Sequence, residues 1–121
     1  MTAGQYAEAV GYMKEAVQTN RDMAAAHPDN VDYLNLLIWS IFNLTARYNQ
    51  AGQSAKSAGL GDEAIRAAER MEAAGADEAT RKNAATNLGH IAEYFPPGDE
   101  AARVAEKATA MFRALAGNGS P

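Results

Sequence analysis

Cysteine is absent from the 121 residues. Disulfides, thiolate metal sites and thiol nucleophiles are thereby excluded, and cysteine usage says nothing of redox compartment. Basic runs are missing too. The nearest is Arg81-Lys82, and 15 acidic residues outweigh 11 basic ones for a net charge of -4. That balance argues against a nucleic-acid or anionic-membrane surface. No apolar run is long enough for a bilayer. The best, residues 31 to 44, is interrupted by Asp32, Asn35, Ser40 and Asn43, so no membrane insertion is expected. The opening residues lack a basic region followed by an apolar block, so no export signal is visible and the cytoplasm is the default compartment. The chain also opens as if in mid-helix, as a fragment of a longer protein would.

Alanine is plentiful, β-branched residues are sparse, and no stretch alternates with period two. The fold class is therefore all-α, in a single domain over residues 1 to 116. Five helical segments follow from the spacing. The first spans Thr2 to Ala26, with Tyr6, Val10, Met13 and Val17 on one face. Residues 27 to 30, His-Pro-Asp-Asn, end it, and Asp29 or Asn30 caps the next. The second starts at Val31 with the stripe Leu34, Leu37, Ile38, Ile41, Thr45 and Tyr48. Leu36, Trp39, Phe42 and Asn43 widen that stripe to most of the circumference, which predicts burial by several neighbours. Its end is open between a polar helical extension and a loop over residues 49 to 64, with Gly59 and Gly61 as the stop.

The third segment is 61 to 75, capped by Asp62 and stopped by Gly75. The fourth is 76 to 95, capped by Asp77, with Ala84, Leu88, Ile91 and Phe95 inward. The fifth starts at Asp99 after Pro96-Pro97-Gly98. Its inner face is Ala101, Val104, Ala105, Ala108, Met111, Phe112 and Leu115. Residues 117 to 121 read as a frayed tail.

Self-similarity joins these segments. Residues 42 to 71 and 86 to 112 each carry Asn-Leu and a small residue, then an aromatic, a Gly-containing break, Gly-Asp-Glu-Ala and an alanine-rich helix. A partial copy spans 6 to 17, where Glu8-Ala9 matches Glu63-Ala64 and Glu100-Ala101. In the 86 to 112 copy, Gly89 and Ala101 stand twelve apart. On these residues the chain resembles the tetratricopeptide repeat family. The long first segment and its His27-Pro28-Asp29 junction are similar to repeat arrays attached to bacterial Ser/Thr protein kinases. The resemblance implies a short right-handed solenoid of antiparallel helix pairs, divided as 2–27, 31–75 and 77–116. Small residues at Thr45, Ala64, Gly89 and Ala101 then let helices nest, and Leu44, Tyr48, Leu88 and Ile91 fill between them. The chain departs from the family by about seven extra residues before Gly61 and by a missing proline after Met71 and Phe112.

Little catalytic chemistry is visible. His27 reads as a solvated junction residue and His90 as a surface residue near Glu93 and Tyr94. No metal-ligand spacing occurs, and no cofactor is expected. The pairs Asp62-Glu63, Asp77-Glu78 and Asp99-Glu100 sit at helix starts, where capping and the helix dipole explain them. Gly59-Leu60-Gly61 lacks the Lys-Ser/Thr continuation of a phosphate loop. The methionines read mainly as packing, with a promiscuous groove as the alternative.

The resemblance implies a non-catalytic module that binds a protein or peptide on its concave face. That face would take Trp39, Phe42, Ala46, Asn49 and Gln50 from the second helix. The fourth would supply Asn83, Thr86, His90, Glu93 and Tyr94. For Trp39 and Phe42, core burial is the standing alternative. The family's Lys/Asn clamp for a C-terminal carboxylate is not present. A homo-oligomer through exposed solenoid ends is a further expectation. The rival fold is a closed bundle holding a small ligand near Trp39, with Asn35 and Asn43 buried. A third reading is an enzyme using His90 and Glu93.

Overall fold

A computed structural model describes residues 2–119, and side chains through residue 117. It is all-helical, with no strand among the described residues. The five helices are α1 (Ala3–Ala26), α2 (Val31–Gln50), α3 (Leu60–Ala73), α4 (Glu78–Tyr94) and α5 (Asp99–Gly119), with a 3-10 turn over Ser54–Ser57. Helix α5 runs past the tail read from residue 117, while residues 120 and 121 lie outside the described residues.

Local chemistry sets most of the boundaries. Thr2 and Gln5 form a reciprocal capping box on α1. Asn30, the second of the two candidate caps, accepts from the Tyr33 N–H at 3.1 Å to start α2. Asp77 accepts from the Thr80 N–H at 2.8 Å to start α4. Helices α2 and α3 end alike. Gly52 (φ 70°) and Gly75 (φ 81°) take the left-handed conformation, and the following N–H returns to Tyr48 O and Met71 O. The stop of α2 is therefore Gly52, not Gly59 or Gly61.

The start of α3 differs from the sequence expectation. Gly59 (φ 89°) is the cap residue, and Asp62 lies within the first turn. The missing side-chain cap comes from another helix. Glu100 of α5 accepts from the Gly59 N–H at 2.9 Å and from the Asp62 N–H at 3.0 Å. Two orphan donors are thus satisfied by a charge-assisted bond across the fold. The approach is close. A Cβ on Gly61 would lie 2.8 Å from Val104 Cγ2.

Packing runs α1 on α2, α2 on α3 and α4, and α3 and α4 on α5, with α3 also touching α4. Four-residue links join α1 to α2, α3 to α4 and α4 to α5; so short a link between packed helices makes them antiparallel. The predicted stripe of α2 is buried throughout, from Leu34 to Tyr48, and so is that of α4. Two hydroxyls in the α2 interior bond back to their own helix, Ser40 to Leu37 O and Thr45 to Phe42 O.

Three expectations fail. Leu36 and Trp39 are 46% and 47% exposed, so α2 is not buried around most of its circumference. Ala105 and Phe112 of α5 face outward. Gly89 needs no small residue, since a Cβ there meets nothing within 4 Å. Thr45 and Ala64, by contrast, are fully buried, as close packing requires.

Acidic residues tie the helices together. Glu63 takes Arg21 of α1 in a two-pronged pair at 2.7 and 2.8 Å. That hydrogen bond raises the Arg21 pKa above its ordinary value. Asp62 takes Arg103 of α5 at 2.9 and 3.0 Å, and this bond holds its carboxyl below the usual range. Of the three Asp-Glu pairs, Asp77 caps its own helix, whereas Asp62, Glu63 and Glu100 act across helices.

Candidate interaction surface

Helices α2 and α4 share one aromatic strip. Phe42, half-buried, stacks on His90 with ring centroids 5.1 Å apart and 29° between planes. Tyr94, one turn on, stacks on the same ring at 6.0 Å and 27°. The spacing of Phe42 against residues four apart on a neighbouring helix produces this ladder. Three of the ten candidate residues, Phe42, His90 and Tyr94, are therefore brought together. Trp39 lies one turn before Phe42, with Leu36 a further turn back. Both present nearly half of their surface. Trp39 is not a core residue.

The polar candidates frame the strip. Asn49 and Gln50 lie about two turns beyond Phe42 and are exposed. Gln50 accepts from Arg47, and Asn49 donates to Ser54. Asn83 and Thr86 lie before His90 and are exposed, with the Thr86 hydroxyl bonded to Lys82 O. Since α2 and α4 run the same way, these two groups stand at opposite ends of the strip. Glu93 is exposed, 3.8 Å from His90 Nδ1. Ala46, by contrast, is 6% exposed and offers no surface.

Two amides beneath this region were not among the expected contacts. Asn35 Oδ1 and Asn87 Nδ2 are buried without a hydrogen-bond partner. Such groups are rare in a folded chain and cost free energy where they stand. Asn87 carries a sequence signal, a lone amide between Ala84, Leu88 and Ile91. Asn43, the other polar residue expected in a closed core, instead bonds Trp39 O.

The remaining chemistry is sparse. Among the described residues no group of three or more His, Asp or Glu side chains is placed to hold a metal ion. No helix is long and apolar enough to cross a membrane. His27 is the exposed C-cap of α1, its ring 5.3 Å from Tyr33. Met71 and Met111 are core residues, and Met23 is 36% exposed. In comparisons with known proteins, no family model, curated protein or solved structure matches the chain.

Proposed function

We propose that the chain is a non-catalytic interaction module of the tetratricopeptide-repeat kind, taking a peptide or protein segment on the α2–α4 face. One observation carries this reading. A half-exposed Trp39 and Leu36 continue a stacked Phe42–His90–Tyr94 strip that spans two helices. Exposed tryptophan beside other large apolar groups costs solvation and is the usual anchor of a binding surface. Polar residues at both ends of the strip supply a rim. Packing of α2 on α4 and of α3 on α5 supports a stack of two like hairpins, with α1 as the half-unit before them.

The small-ligand bundle finds less support, because a tryptophan 47% open to solvent does not wall a closed cavity. Self-association remains part of the reading. Tyr12 of α1 and Phe112 of α5, at the two ends of the stack, are 65% and 40% exposed.

The test uses a displayed peptide library selected on the intact chain. Selected peptides should lose about tenfold or more in affinity on Trp39→Ala, the scale of an anchor residue, and several-fold on Tyr94→Ala. A selection in which no peptide loses affinity on either variant would overturn the assignment.

A further inference from the structure

A second surface lies on the opposite side of α2. Leu37, Leu44 and Tyr48 fall within roughly 40° of arc around that helix, while Trp39 and Phe42 lie about 140–200° away at 100° per residue. Two adjoining grooves open there between α1 and α3. One, of about 410 Å³, has Arg21, Arg66 and Arg70 on its walls above Ala24, Leu37 and Ala67. The other, of about 210 Å³, has Lys14, Arg21 and Lys56 above Val17, Leu44 and Leu60. Arg21 lines both, so the two form one trough.

The charge of this trough runs against that of the chain. Five cations and one carboxylate line it, a net +4 in a protein of net -4. The carboxylate, Glu63, is spent on Arg21. Arg70 is spent as well, donating to Ala24 O and Pro28 O at the end of α1. Lys14, Lys56 and Arg66 make no ion pair among the described residues, and all three are exposed. Asp62 interacts with Arg66 only at longer range, its hydrogen bonds going to Arg103. The unspent cations thus stand at both ends of the trough over an aliphatic floor.

We infer that this trough docks an acidic, leucine-bearing peptide segment of a partner protein. Charge complementarity selects carboxylates, and the floor selects aliphatic side chains between them. From Lys14 to Ala25 the α1 wall is about 17 Å long at 1.5 Å per residue. An extended segment of about five residues matches that length at roughly 3.3 Å each. A nucleic-acid strand fits worse. Tyr48, 6% exposed, is the one aromatic ring along the trough for bases to stack on, and the rest of the floor is aliphatic.

The measurement is fluorescence anisotropy with a labelled hexapeptide alternating glutamate and leucine. Comparison probes are its lysine-for-glutamate counterpart and a single-stranded oligonucleotide. Saturable binding of the acidic peptide alone is expected, weakening as salt rises. Lys14→Glu, Lys56→Glu and Arg66→Glu should each reduce affinity about two- to fivefold, and the triple variant should abolish it. These side chains are exposed, so helical circular dichroism should be unchanged. Arg113→Glu, remote on α5, and Trp39→Ala should leave binding intact, which separates this trough from the aromatic strip. The inference is overturned by no saturable binding, by tighter binding of the oligonucleotide, or by equal loss with Arg113→Glu.

Discussion

The tetrad Gly-Asp-Glu-Ala occurs at 61–64 and again at 98–101, and the two hairpins put it to different use. In α4–α5, Gly98 precedes the helix, and its carbonyl accepts from the Ala102 N–H. In α2–α3 the equivalent carbonyl is that of Gly59, which accepts from Glu63. The helix therefore starts two residues earlier relative to the same four letters. Gly61 is carried inside α3 and pressed against Val104, while Gly98 has open space around it. Glu63 turns to Arg21, whereas Glu100 turns to the backbone of the other hairpin. Identical words in a repeat take their meaning from what packs on them, and the longer link of the first hairpin moved its word deeper.

The largest effects test whether the hairpins share one fate. Ile38 and Ile91 are both fully buried, one in each hairpin. Each change to Ala should cost about 2–5 kcal/mol in urea unfolding. A single transition in both variants is expected. Two separate transitions would show that the hairpins melt apart. Next in size, Glu100→Ala should cost about 1–2 kcal/mol, the scale of a lost cap, and should fray α3 rather than α5. In the tetrad itself, Gly61→Ala should destabilise by about 1 kcal/mol, as overpacking of about 1–3 kcal/mol is partly offset by a helix-propensity gain of about 1 kcal/mol. Gly98→Ala should change stability by less than about 0.5 kcal/mol. Equal effects at the two glycines would erase the distinction between the hairpins.

Smaller still, Gly89→Ala should stabilise by about 0.5–1 kcal/mol, since it adds helix propensity in open space. A loss there would restore the small-residue role that the repeat pattern assigns to it. The last test is acid. Asp62, bonded to Arg103, and Asp77, bonded to the Thr80 backbone, have lowered carboxyl pKa values. Their contribution is complete above the ordinary value near pH 3.9 and is lost as pH falls through the lower folded value. Stability should thus decline below about pH 4, and Asp62→Asn with Asp77→Asn should flatten that decline.

What was legible in the sequence is what local chemistry decides. Asn30 and Asp77 cap from within three residues, whereas Thr2, read as the first helical residue, is the cap of α1. Gly75 and Pro96 end helices by their own conformational limits, and the buried stripes of α2 and α4 follow from spacing alone. What was not legible depends on distant partners. The cap of α3 comes from Glu100, about forty positions away. The outward turn of Leu36, Trp39 and Phe112 depends on which faces find a neighbour, and periodicity cannot rank two apolar faces of one helix. Of the candidate surface, the stacking of Phe42 on His90 and Tyr94 joined residues picked separately. Asn87, a lone amide among Ala84, Leu88 and Ile91, was passed over, and its lack of a partner is a property of the packed interior.

The borrowed cap of α3 also orders events in time. Its first turn lacks a side-chain acceptor of its own, so segment 31–75 made alone would hold that turn loosely. The α4–α5 elbow, by contrast, is a four-residue link at which Ala102 N–H bonds the Gly98 carbonyl. Amide protons at the head of α3 should therefore exchange in step with departures of α5, linking the beginning of one rod to the docking of another two rods later.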